Sequence, residues 1–190
     1  MGGLMIDHDL AGLVHDILRH RRYGKYRGTV VSNEDTTHRG RLKVSVPSVL
    51  GDGVEVWAMP CVPYAGASVG LFAMPPAQSG VWVEFEGGDP SFPIWVGCFW
   101  GDGEVPLGGD PTMKVWKTDS ITLSLDDQSD EATLKNGSNA SLTMNQSVET
   151  VAASAKHTVA SQGVTSELGS GKVEVTTASV SINNGKIQVT

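Results

Sequence analysis

Residues 80–100 read GVWVEFEGGDPSFPIWVGCFW. In the first seven, Val81, Val83 and Phe85 fall on one parity and Trp82, Glu84 and Glu86 on the other. A period of two places alternate side chains on opposite faces of a β-strand. The last eight, PIWVGCFW, are a nearly continuous apolar run of strand length, and the GGDPS between carries turn-forming residues. The segment predicts two strands joined by a tight connection.

Three more strands are predicted upstream. They are KYRGTVVS at 25–32, GRLKVSV at 40–46 with Leu42, Val44 and Val46 on one face, and VEVWAMPCV at 54–62. SNEDTTHR, PSVLGDG and the stretch around PYAGASVG separate them as turns. Five strands in roughly 75 residues suit a small closed barrel, most often an OB-fold. Nine of the twelve aromatic residues lie between Trp57 and Trp100, so the large side chains that fill a globular core are concentrated here. Trp57, Trp82, Trp95 and Trp100 are expected as barrel core or interface residues.

Ahead of the barrel, Leu10, Leu13, Val14, Ile17 and Leu18 recur at the spacing of one helical face. Arg19, His20, Arg21 and Arg22 follow at the end where cations suit the helix dipole. A helix this short is marginal alone, so its apolar face is expected to dock on its own domain or on a partner, with Leu10, Leu13 and Ile17 facing that partner.

After Trp116 no aromatic residue occurs, and Ser and Thr make up 23 of the last 79 residues. The apolar residues there are small or β-branched and recur with period two: Ile121, Leu123, Leu125; Ala132, Leu134; Ala140, Leu142, Met144; Val173, Val175; Val180, Ile182; Ile187, Val189. DDQSD, NGSN, GSG and NNG punctuate them. Each strand has a narrow apolar face and a Ser/Thr face, and one copy has little apolar surface to offset its conformational entropy. An intertwined β-prism in a homotrimer satisfies this pattern. A single-chain β-solenoid and a disordered tail are the alternatives, the second opposed by the regular alternation. The prism reading puts Ile121, Leu123, Leu142, Val175, Ile182 and Val189 on the trimer axis. His157 shares parity with Val159: a regular strand brings it to the axis as an ion site, and a turn or bulge before it leaves it on the surface.

The fold expected is therefore all-β: a short N-terminal helix at 1–24, a five-stranded OB-fold barrel at 25–103, a linker at 104–111, and a trimeric triple-stranded β-helix, or β-prism, at 112–190. The linker falls in the turn-rich GDGEVPLGGDP at 101–111.

Little points to catalysis. The five histidines are scattered, and no nucleophile elbow, zinc-protease, Walker or dinucleotide motif occurs. Glu84 and Glu86, at i and i+2, read as a solvated strand face rather than a carboxylate pair, as do Asp102 and Glu104 in their Gly loop. No catalytic residue, cofactor or metal is expected. The net charge is −7, with ten acids against three basic residues in 28–111, a poor match for phosphate backbones. Nucleic acid is not an expected partner. Cys61 and Cys98 form no metal spacing and are expected as buried thiols, with a disulfide between neighbouring strands as the alternative. The N-terminus carries Asp7 and Asp9 where a leader needs an apolar run, so assembly in the cytoplasm without a signal peptide is expected.

YGKYRGTVVSNEDTTHRGRLKVSVPSV, WAMPCVPYAG and GVWVEFEGGDPSFPIWVGCFWG, in that order, resemble the baseplate assembly protein V family. This is the OB-fold domain of the central spike in contractile phage tails and injection systems, akin to the VgrG spike of type VI secretion. The resemblance covers roughly residues 22–103, and its most specific part pairs WVEFEGGDP with PIWVG. It implies a structural spike within a virion or a tail-like particle, either kept in the cell or released from it: a trimeric needle at the baseplate centre that meets a target membrane only on firing. A rigid needle is expected to run its backbone hydrogen bonds between chains. Too few residues precede the barrel for a hub, so hub and inner-tube proteins are expected as separate chains. Only about ten residues separate barrel and needle, which excludes an inserted lysozyme domain. The chain ends in GKIQVT without an H-x-H iron motif, so a PAAR-type tip protein is expected there. A carbohydrate-binding OB-fold adhesin is the alternative function.

Overall fold

Val30, Leu42, Val44, Val46, Ala58, Val81 and Val83 are completely buried, with Phe85 and Trp95 almost so. These side chains, drawn from alternating positions, fill a closed barrel. The chain is described by a computed structural model, covering the backbone of residues 5–189 and the side chains of 10–187 apart from Asp16 and Leu18. It forms two compact units, the first ending at Gly103 and the second beginning at Glu104.

The first unit opens with α1 (Met5–His20). Seven strands follow: β1 (Tyr26–Ser32), β2 (Leu42–Ser45), β3 (Glu55–Pro60), the short arms β4 (Ala65–Gly66) and β5 (Val69–Gly70), β6 (Gly80–Phe85) and β7 (Pro93–Phe99). A one-turn helix, α2 (Pro47–Leu50), follows β2. The barrel order is β1–β2–β3–β7–β6, closing back on β1. All of its pairings are antiparallel except β3 with β7. Burying one Val or Leu contributes roughly 1.5–3 kcal/mol, and the alternation delivers such residues from β1, β2 and β6, with Ala58 from β3 and Trp95 from β7.

Two irregularities bend the barrel. Val31 is extra where β1 meets β2, and Val96 is extra where β7 meets β6, since Trp82 pairs with Gly97 but Val83 with Trp95. Such bulges sharpen strand curvature. Gly80 is required by close approach: a Cβ there would lie 2.6 Å from the Phe99 ring.

Of the four tryptophans expected as core or interface residues, Trp95 is in the core, Trp57 and Trp82 lie on the outside of the barrel and Trp100 is exposed. Trp57 is adjacent in β3 to buried Ala58, and Trp82 lies between buried Val81 and Val83; parity overrides side-chain size. Cys61 and Cys98 are exposed free thiols rather than buried ones. β7 pairs with β3 only through Ile94 and Trp95, so Cys98 lies on the stretch of β7 beyond that neighbour.

The second unit is one antiparallel meander of ten strands: β8 (Met113–Lys117), β9 (Ile121–Asp126), β10 (Glu131–Asn136), β11 (Ala140–Met144), β12 (Ser147–Ala152), β13 (Ala155–Ala160), β14 (Gly163–Leu168), β15 (Gly171–Val175), β16 (Val180–Ile182) and β17 (Ile187–Val189). Each strand pairs with the next. Side chains close the turns between them: the Asn136 carboxamide oxygen accepts from the Ser138 and Ala140 amides, and Asn145 accepts from Ser147. Asn183 and Asn184 both adopt positive φ, a conformation Asn tolerates in hairpin turns.

The meander differs from the expected hydrogen bonding. The strand ladder is completed within the chain rather than between chains, because each turn is short enough to return the next strand antiparallel. A solenoid or a disordered tail does not describe it. Among the described residues, no helix is long and apolar enough to cross a membrane.

Candidate functional site

Cross-strand partners point to the same face of a sheet, so the pairing register sorts the second unit's side chains. One row runs across every strand from Trp116 through Leu123, Leu134 and Leu142 to Thr150, His157 and Ser166, then Val173, Ile182 and Ile187. A parallel row carries Leu125, Ala132, Met144, Val148, Val159, Val164, Val175 and Val180. The third, on the other flank, carries Ile121, Ala140, Ala152, Ala155 and Leu168.

The opposite face is polar. It carries Thr122, Ser124, Thr133, Ser141, Thr143, Thr158 and Thr165, with Glu149 paired to Lys156 at 2.6 Å and Lys172 set between Glu167 and Glu174. The hydrogen bond that Lys156 donates to Glu149 raises its pKa above the ordinary lysine value. Met113, Val115 and Val151 are the larger apolar residues on this face.

The apolar face is uncovered within the chain. Trp116, Ile121, Leu123, Leu125, Leu134, Met144, Val148, Val159, Val173, Val175, Val180, Ile182 and Ile187 are all exposed. Single exposed apolar side chains are ordinary, but a contiguous sheet face of them marks an interaction surface. Of the residues expected on an axis, Ile121, Leu123, Leu142, Val175 and Ile182 share this face. Val189 pairs with Val180 by register, and its side chain lies outside the described residues.

His157 also lies on this face, and its sequence argument needs correcting. A turn at Ala153, with φ of 53°, separates β12 from β13. Val151 therefore falls on the polar face, while His157 stays with Val159 on the apolar one because parity holds within β13. The His157 Nδ1 lies 2.8 Å from the Ser166 Oγ.

In the first unit, α1 leaves Leu10, Leu13, Val14 and Ile17 exposed, Leu13 at 58%. Among the described residues, none covers the three that are expected to face a partner. The segment after the helix is anchored: the Arg22 amide donates to the Gly88 carbonyl at 2.7 Å, and Arg21 reaches Asp89. The hairpin of β4 and β5 adds a second exposed apolar group, Tyr64, Val69, Leu71 and Phe72, with Phe72 79% exposed. Sequence reading took this stretch as a turn; the signal passed over was the apolar content of its flanks.

The loop from β1 to β2 is held by one carboxylate. Asp35 accepts from the amides of Thr37, Arg39 and Arg41, the Thr37 hydroxyl, and the Arg41 guanidinium. The Arg41 hydrogen bond, reinforced by the Thr37 and Arg39 donors, holds its carboxyl far below the usual carboxylate range. Arg41 in turn lies 5.0 Å over the Trp57 ring, and Arg27 lies over both Trp82 and Phe99. The Trp95 indole donates to the Gly40 carbonyl.

None of this assembles a reaction centre. Glu84 is paired to Lys25, and Glu86 begins the turn Glu86–Gly88, so the two carboxylates do not form one strand face. Among the described residues no group of three or more His, Cys, Asp or Glu is placed to hold a metal ion within one chain.

Residues 26–100 match the family model described as the type VI secretion system/phage-baseplate injector OB domain. A search of curated proteins returns no match. The matched residues are those of the closed barrel, β1 to β7. Over these residues the chain is similar to the injector OB domain of type VI secretion systems and phage baseplates.

Proposed function

We propose that the chain is the central spike of a contractile injection machine or contractile phage tail, and that three copies close the apolar faces of their ten-strand sheets into a needle. The observation that carries this is the sorting of the second unit into one apolar, uncovered face and one Ser/Thr and ion-pair face.

The dimensions favour three copies. Strands of five or six residues make a ribbon roughly 20 Å wide, and ten strands make it roughly 45 Å long. A triangular prism with sides of that width has its axis roughly 6 Å from each sheet. Side chains fill about 5 Å, half the usual spacing of packed sheets, so three faces meet on the axis with little void. Four would leave a hole. Each face, at roughly 900 Å², matches the area a stable interface buries per partner. The central row, from Trp116 to Ile187, is then the one nearest the axis.

The needle transmits force without an active site. The barrel unit meets a hub and inner tube, with α1 and the β4–β5 hairpin as contact surfaces. The end near β17 receives a tip protein, and sheath contraction drives the assembly into a target envelope. The reading is tested by tagging the chain in its native host and imaging what co-purifies. A particle with the tag density on the tail axis, beneath the tube, supports it. A tagged chain that binds glycans and brings down no tube or baseplate protein contradicts it in favour of an adhesin.

A further inference from the structure

The central row of the apolar face is aliphatic between its first residue, Trp116, and its last, Ile187, except at one place. Between Leu142 and Val173 it carries Thr150, His157 and Ser166 on three successive strands. His157 and Lys114 are the titratable side chains on this face. Lys114 sits at the β8 edge, paired to Asp127, whereas His157, on β13, is five strands from β8 and four from β17, the outermost strands of the meander. The nearby carboxylates Glu149, Glu167 and Glu174 belong to the opposite face.

The geometry points to a divalent transition-metal site formed by the three copies of His157 inside the needle; this rests on the three-fold reading above. Three-fold symmetry brings residues of the row nearest the axis to one level. The Ser166 Oγ engages Nδ1 at 2.8 Å, which leaves Nε2 as the free ring nitrogen. When Nδ1–H donates to that hydroxyl, Nε2 presents its lone pair, and the serine acts as the outer partner that fixes tautomer and ring orientation. Three neutral imidazoles are a ligand set that suits zinc, cobalt and nickel, with the fourth position left to water or hydroxide. Without an ion, the same level leaves polar nitrogens facing one another in a dry core, which is costly.

The test is to express the full chain in medium supplemented with Co²⁺, isolate the trimer by sedimentation and measure cobalt and its visible absorption. One cobalt per three chains, with the intense bands of tetrahedral coordination, is expected. His157→Val and His157→Gln trimers should contain none, and Ser166→Ala should lower cobalt retention by about 10- to 100-fold. The Gln variant keeps a polar side chain, so a folding defect of the Val variant does not decide the outcome. A native trimer without cobalt, or a His157→Gln trimer with as much as the native one, overturns the site while leaving the needle standing. A chain that sediments only as a monomer overturns the needle and the site together.

Discussion

Asp35 and Arg41 form a two-pronged ion pair, with Nη2 at 2.8 Å and Nε at 3.2 Å from Oδ1, that closes the loop between the first two barrel strands. The Asp35 side chain retains 4% of its exposure. Its acceptors serve donors that would otherwise be left partly buried and unpaired. Asp35→Asn should lower the barrel's melting temperature by on the order of 10 °C at neutral pH, read by differential scanning calorimetry of the full chain. An unchanged melt shows that the loop is held by other contacts.

The pH dependence of that difference has a fixed sign. The folded-state pKa of Asp35 is depressed, so its contribution is complete above the unfolded value near 3.9 and fades as pH falls through the lower folded value. The gap in melting temperature between native protein and Asp35→Asn should be constant from pH 7 to about 5 and narrow below about 4. A gap that widens in acid contradicts the assignment.

Gly80→Ala tests the packing outside the barrel. The new Cβ meets the Phe99 ring at 2.6 Å, and that ring packs on Trp82 at 5.0 Å and beneath Arg27. Overpacking of this kind costs about 1–3 kcal/mol. Adding Phe99→Leu should recover part of the loss, and additive losses in the double variant would show that the two positions do not compete for space.

How far the sequence carried this fold depends on which physical rule was local. Leu42, Val44 and Val46, and likewise Val81, Val83 and Phe85, obey an uninterrupted period of two, so their core positions were legible. Trp82 was legible on the face opposite Val81 and Val83, whereas composition alone left open which tryptophans fill the core and which lie on the outside. The extra residue at Val96 leaves no mark in composition. In the second unit the sets of Leu, Val and Ile predicted one apolar face. The turn at Ala153 reset the parity of Val151 but not of His157, since β13 begins after it. Where the hydrogen-bond ladder would close was not legible, because alternation is the same whether the neighbouring strand belongs to one chain or to another.

Ile182→Asp places a charge on the central row of the apolar face, and Ser181→Asp places one on the polar face beside it. In a three-fold needle the first sets three like charges in a dry core, which costs several kcal/mol. It should abolish heat- and detergent-resistance of the oligomer, whereas Ser181→Asp should change stability by no more than about 0.5 kcal/mol. Equal effects of the two substitutions would show that the faces are not distinguished in the assembly.

Leu13→Asp with Ile17→Asp addresses α1. Both side chains are exposed in the chain, so the melting temperature and oligomeric state should be unchanged. Capture of hub or inner-tube proteins from the native host should fall by at least tenfold. Loss of the oligomer instead would place the helix in the contact between copies.

The central claim is that three copies cover the apolar face, and sedimentation equilibrium of the full chain at micromolar concentration tests it most directly. The account predicts a single species of three times the 20.1 kDa chain mass. A well-folded monomer, or a two-chain species formed by a sandwich of two sheets, would contradict it.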